Sequence, residues 1–177
     1  MFNTSSIALI VGGSSGMGKA TAERLLKSGV PVMILSHDKQ NLAEAKLDLE
    51  STTNGHVETA QVDLYDPSAV QSFIEQLNAE KRHIGYLVNA AGFFKPVDFL
   101  EHSEQDYDLQ LDMNRAFFFI TQAVAKNMKQ HGGGAIVNIG SMWAHQAIKA
   151  TPSSAYSMQK AALHALTKNL ALSLIHI

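Results

Sequence analysis

The stretch LIVGGSSGMGKAT, Leu9 to Thr21, carries two overlapping glycine spacings, and the choice between them decides the fold. The apolar run Ile7–Val11 enters a Gly/Ser turn and then a helix-forming segment, the layout of a buried strand feeding a helix N-terminus. Small turn residues and the positive end of a helix together make a site for phosphate. Gly13-x-x-x-x-Gly18-Lys19 nearly spells the loop that cradles a nucleoside triphosphate, whereas Gly12-x-x-x-Gly16-x-Gly18 spells a dinucleotide turn. The triphosphate loop needs Ser or Thr directly after its lysine to hold magnesium. Ala20 stands there, Thr21 comes one residue late, and Asp63 follows the mixed stretch Glu58–Val62, a weak strand to carry a second magnesium-binding acid. The dinucleotide reading prevails.

Working outward, strand and helix patterns alternate. Met17–Ser28 reads as a helix closed by Gly29, Val32–Leu35 as a strand, and Asn41–Glu50 as a helix ending in the polar loop Ser51–Gly55. Val57–Val62 is a third strand, followed by Asp66 as N-cap and Pro67 at the first helical position. Tyr86–Val88 is a fourth strand, and Ser103-Glu104-Gln105-Asp106 is a capping box opening a long helix to about Gln130. Gly132-Gly133-Gly134 stops it, Ala135–Ile139 is a fifth strand, and a loop from Ser141 to Ser154 leads into a last helix. Apolar strands alternating with helices predict an α/β fold, a parallel sheet covered on both faces. Its ligands bind beyond the carboxyl ends of the strands, where Gly12, Asp63, Asn89 and Ser141 all fall.

Composition removes several function classes. The 177 residues fit one domain, with 14 Lys+Arg scattered against 16 Asp+Glu and no polycationic face for nucleic acid or an anionic membrane. There is no cysteine, so no disulfide and no thiolate chemistry. None of the eight histidines lies three or four residues from another, which argues against a helical metal pair, and no metal is expected. No apolar run reaches the ~18 residues of a membrane span, and the N-terminus lacks a signal-peptide pattern. A cytoplasmic protein is expected.

Tyr156 and Lys160 are four residues apart on the last helix and share a face. Bringing a tyrosine from a pKa of ~10 to ~7 takes about 4 kcal/mol. A lysine charge ~5 Å away at an effective dielectric of ~20 supplies roughly 3 kcal/mol. Alone, the spacing describes a surface tyrosine beside an ordinary lysine; beside Ser141 and the glycine turn it describes an acid–base device.

In chain order, Gly12-Gly13-Ser14-Ser15-Gly16-Met17-Gly18, Asp63-Leu64, Asn89-Ala90-Ala91-Gly92, Asn114, Ser141 and Tyr156-x-x-x-Lys160 resemble the motifs of the short-chain dehydrogenase/reductase family in its single-domain branch. The resemblance spans nearly the whole chain. It implies a Rossmann-like doubly wound parallel sheet lacking its last strands, and an NAD(P)(H)-dependent oxidoreductase interconverting a carbonyl and a secondary alcohol, a 3-oxoacyl-thioester being one candidate substrate. Tyr156 would pass the proton, Ser141 would bind the substrate oxygen, and Lys160 would tune Tyr156 and bind the nicotinamide ribose. Asn114 would hold a water in the proton relay, its alternative being an exposed mid-helix asparagine.

Gly12, Ser14, Ser15, Gly16, Met17 and Gly18 would bind the cofactor's phosphates, Asp63 and Leu64 its adenine, and Asn89, Ala90, Ala91 and Gly92 would lie beside it. The alternative for Asp63 is a strand-end turn aspartate. Ser36 is neutral where a ribose-binding acid would stand, His37 follows, and Asp38 comes too late, which favours NADP(H) over NAD(H). The loop between Ser141 and Tyr156 is slightly longer than usual in the family, and Trp143, His145 and Ile148 are its expected pocket contacts. The apolar run Phe117–Ile120 suggests a helix buried on more than one side; the resemblance implies that this helix and the Tyr156 helix build a dimer interface, so a homodimer or homotetramer is expected of the full-length form. Leu172–Ile177 matches one frame of a common sequencing adapter, so the native gene is expected to continue, the alternative being a naturally short chain. A catalytic reductase and a non-catalytic dinucleotide-binding fragment are the two functional readings.

Overall fold

The structure is a computed structural model and describes residues 3–175. Strand β1 (Ile7–Val11) leads to α1 (Gly16–Lys27), β2 (Val32–Ser36), α2 (Lys39–Thr53), β3 (Val57–Gln61) and α3 (Pro67–Ala79). There follow β4 (Ile84–Asn89), α4 (Glu104–Gln130), β5 (Ala135–Asn138) and α5 (Ser154–Ser173), with 3-10 turns at Phe99–Glu101 and Met142–Ala144. All five strands pair in parallel in the order β3-β2-β1-β4-β5. Succession runs outward from β1 through β2 to β3, then resumes on its other side at β4, so the switch point lies between β1 and β4.

Every residue of β1 is buried, which requires cover on both faces of the sheet. Ile7, Leu9 and Val11 enter one core with Phe73 of α3 and Phe117 and Ile120 of α4. Ala8 and Ile10 enter the other with Leu25 and Leu26 of α1 and Leu42 and Leu49 of α2. The period-2 alternation of one strand thus fixes two layers of helices.

The local signals for helix starts are realised in side chains. Asp66 accepts from the Ser68 amide ahead of Pro67, and Ser103 and Asp106 form the reciprocal capping box of α4. The end of α2 differs from expectation: the helix continues through the polar stretch to Thr53. Ser51 and Thr52 donate to the Asp48 carbonyl and Thr53 to that of Leu49, so these hydroxyls follow the helix rather than leave it. Asn54, at φ 53, ends it.

The run Phe117–Ile120 also divides. Phe117 and Ile120 are fully buried, while Phe118 and Phe119 are 46% and 37% exposed. Four consecutive residues cover more than one full helical turn, so one core takes only two of them. The last strand, β5, lies at the edge of the described sheet with Val137 half exposed. Of the adapter-like stretch, Leu172 and Ser173 belong to α5, and residues 176 and 177 lie outside the described residues. Among the described residues no helix is long and apolar enough to cross a membrane.

Phe117→Ala is expected to cost about 3–5 kcal/mol of unfolding free energy. Phe118→Ala, one position on, should cost less than about 1 kcal/mol, the two compared by urea denaturation.

Candidate active site

The site grows from the turn after β1. Gly12 has φ +83, and a Cβ there would lie 2.5 Å from the Ala91 amide nitrogen. Only glycine lets this turn pass so close to the segment leaving β4. Gly18, in the first turn of α1, packs on the Gly12 carbonyl, which any Cβ would strike. The Val11 carbonyl accepts from both the Ala90 and Ala91 amides, at 2.8 and 2.9 Å. The loops after β1 and β4 are therefore held side by side at the switch point.

Asp38, Asp66 and Ser103 each cap their helix with a side chain, but Ser15 makes no such bond to α1. The first amides of α1 are left without a side-chain acceptor at the mouth of a cleft of about 530 Å³. That volume is in the range of small-molecule sites. In the order of the strands, its lining comes from Asp63 and Leu64 after β3, Ser36 and His37 after β2, Gly12 and the run Ser14–Met17 after β1, and Ala90, Ala91 and Gly92 after β4, with Tyr156 and Lys160 from α5.

Four of the residues expected to be catalytic or cofactor-binding are not on the cleft lining, and neither are Trp143, His145 and Ile148. Gly18 lies beneath the turn. Asn89 is fully buried and donates to Thr121 Oγ1 at 3.0 Å and Asn138 Oδ1 at 2.8 Å, tying β4 to α4 and β5. Asn114 is half-buried rather than exposed. It donates to the Gln159 carbonyl at 3.0 Å and accepts from Gln159 Nε2 at 3.1 Å, joining α4 to α5. Ser141 caps the turn Met142–Ala144, its Oγ accepting from the Trp143 amide at 3.3 Å. Asp63 lines the cleft while its Oδ1 accepts from the Tyr65 amide at 2.9 Å, the bond of a turn aspartate. Asp38 is committed to the Asn41 amide at 2.8 Å.

Tyr156 and Lys160 project from α5 on one face. The Lys160 ammonium is 5.7 Å from the Tyr156 ring centre and donates to the Ile139 carbonyl at 2.9 Å. Lys160 is only 3% exposed, and burial lowers its pKa from the ordinary lysine value. Phe94 stands edge-on to Tyr156 with centroids 4.8 Å apart and stacks on Trp143 at 5.8 Å. Trp143 thus backs the aromatic wall, His145 turns to His164, and Ile148 is partly exposed. Phe94 and Gln159 carry no sequence pattern that marks them, because their partners lie far away in the chain. Among the described residues no group of three or more His, Asp and Glu could hold a metal.

The profile of the short chain dehydrogenase family matches residues 6–176. An uncharacterized oxidoreductase of Staphylococcus saprophyticus is 30% identical over 165 residues, covering 93% of this chain and 70% of that protein. A 3alpha-hydroxysteroid dehydrogenase of Mediterraneibacter gnavus is 30% identical over 174 residues, covering 97% of this chain and 68% of its own. A solved short-chain dehydrogenase from Sphingobium yanoikuyae, in complex with NADPH, superposes with a TM-score of 0.87 at 32% identity, over 96% of this chain and 66% of that one. The chain therefore spans about two thirds of the length of these proteins.

A buried lysine with a lowered pKa opposes folding wherever the unfolded chain binds the proton more tightly. Stability should rise with pH from the folded pKa of Lys160 up to its unfolded value of about 10.4. Lys160→Met keeps the packing and removes the charge, so thermal melts at neutral pH should match or exceed the parent, with the difference closing in alkali.

Proposed function

The chain belongs to the short-chain dehydrogenase family of oxidoreductases, and from that premise we propose that it interconverts a ketone and a secondary alcohol with a nicotinamide dinucleotide, NADP(H) in preference to NAD(H). The residues present fit such a cofactor. Gly16 has φ +52 and no atom within 4 Å of the place a Cβ would take, so a ligand can approach its backbone freely. The uncapped start of α1 suits the pyrophosphate charge. Gly12, Ser14, Ser15, Gly16, Met17 and Gly18 would form the phosphate turn, Asp63 and Leu64 would hold the adenine, and Ala90, Ala91 and Gly92 would flank the dinucleotide. We read the whole chain as one dinucleotide-binding domain.

The observation that carries the reading is the buried ammonium of Lys160 beside Tyr156 at the end of the cleft. A bound nicotinamide supplies the hydride to the carbonyl, or accepts it from the alcohol. Tyr156 gives the proton to the substrate oxygen, or takes it in the reverse direction. The Lys160 ammonium, 5.7 Å from the Tyr156 ring centre, attracts the negative charge that forms on the tyrosine oxygen. The Ile139 carbonyl holds one ammonium proton and leaves the others for the ribose hydroxyls. Ser141 steadies the substrate oxygen, and Asn114, locked to Gln159, helps keep α4 and α5 in register around the site.

At the other end, Ser36 and His37 put no carboxylate where the adenosine ribose would sit, and Asp38 is engaged as a helix cap. This supports the preference for a 2′-phosphate. The half-exposed Phe118 and Phe119 on α4 favour assembly of the whole enzyme as a homodimer or homotetramer. Its compartment on this reading is the cytoplasm.

Tyr156→Phe should lower kcat by about 10²–10⁴-fold while NADPH still binds, measured with a panel of ketones by loss of NADPH absorbance. Unchanged turnover in that variant would overturn the mechanism, and NADPH binding without any turnover by the parent chain would favour a non-catalytic fragment. Ser36→Asp should weaken NADPH by about tenfold or more through like-charge repulsion and leave NADH no weaker, read by fluorescence titration.

A further inference from the structure

Ser141 opens the 3-10 turn Met142–Ala144 and lies beyond the end of β5, so no strand bond fixes it. An imidazole does. The Ser141 amide donates to Nε2 of His164 on α5, at 3.3 Å. Nδ1 of His164 lies 2.9 Å from Nε2 of His145, the residue that follows the turn, with the ring centres 4.9 Å apart. The His164 ring rests on the backbone of Gly140, where any Cβ would collide with it. Glycine before the serine is what lets the ring reach the amide.

Counting protons along this chain fixes its state. Because His164 Nε2 accepts from an amide, it carries no hydrogen, and in a neutral ring the hydrogen is on Nδ1. Nδ1–H then donates to His145 Nε2, and His145 keeps its own hydrogen on Nδ1. Two neutral rings satisfy every bond. A third proton satisfies none: on His164 it falls on Nε2 and faces the Ser141 amide. On His145 it falls on Nε2 and faces the His164 Nδ1–H, unless His164 changes tautomer and again presents a hydrogen to Ser141.

We propose that His164, together with His145, is a positioning residue, and that the pair anchors the Ser141 turn to α5 only while both rings are neutral, so that acid releases the serine from the site. The proposal rests on the role assigned to Ser141 above. The charged groups that act on His164 are Lys160 and Lys168, one helical turn away on either side, and His145 from the turn, with no carboxylate among them. Burial first, and then these positive neighbours, hold His164 below the ordinary imidazole value of 6.5. The turn is therefore anchored at neutral pH and released below it.

Trp143 is the only tryptophan in the chain and lies within the turn, so it reports the anchor without any need for turnover. Acrylamide quenching of Trp143 should rise by about twofold or more across a single-proton step below pH 6.5. His164→Leu should be as quenchable at pH 8 as the parent is in acid. The double variant His145→Gln/His164→Gln keeps a donor and an acceptor at each position without titrating, and should stay shielded with no step. Below the step kcat/KM of the parent should fall about tenfold per pH unit, and in the double variant it should not. A His164→Leu turn as shielded as the parent's, or a step that persists in the double variant, overturns the proposal. If the turn follows the histidines and Ser141→Ala leaves turnover unaltered, the anchor stands and only the role of Ser141 falls.

Discussion

One carbonyl oxygen, that of Val11, accepts from the Ala90 and Ala91 amides and so binds the loop after β1 to the loop after β4. Around it the backbones come closer than any side chain would allow, since a Cβ on Gly12 would meet Ala91 and one on Gly18 would meet Gly12. This contact turns the reversal of strand order into a cleft. The start of α1 and the Ala90–Gly92 segment then line that cleft together with Tyr156 and Lys160 of α5.

Holding that ammonium is the costly part of the design. A buried cation loses most of its hydration, and the Ile139 carbonyl replaces only one of its partners. The rigid frame offsets the difference. Ile139 follows β5, its amide bonded to the Asn89 carbonyl, and Asn89 in turn grips Asn138 and Thr121. Asn89 therefore serves the site by fixing the strand end that presents an acceptor to Lys160, although its own side chain never reaches the cleft.

What could be read from the sequence divides by the range of the forces involved. The β1 turn, the Asp66-Pro67 start of α3 and the Ser103–Asp106 capping box depend on neighbours within a few residues, and their residue types state the geometry outright. Tyr156 and Lys160 were legible for the same reason, being one helical turn apart. The end of α2 was not, because Ser51, Thr52 and Thr53 serve equally well in a loop and in a helix, and only their bonds to Asp48 and Leu49 decide. Gln159 opposite Asn114, Phe94 against Tyr156, and the two histidines meet across 45, 62 and 19 positions of chain, where no period in the sequence reports contact. The outward side of the Phe117–Ile120 run marks another limit, since an apolar residue announces a preference for burial and not the partner that provides it.

Lys160 and His164 stand one turn apart on α5 and have opposite requirements. In the mechanism proposed above the lysine serves Tyr156 as a cation, whereas the histidine accepts the Ser141 amide only as a neutral ring. Burial pushes both toward the neutral form, which suits the histidine and works against the lysine. Their ordinary values are 10.5 and 6.5, and burial displaces both downward. The lysine charge itself adds to the effect on the histidine, because it disfavours a second positive charge on His164. In the proposed mechanism, therefore, the ammonium that readies the tyrosine also helps to keep the serine's anchor neutral.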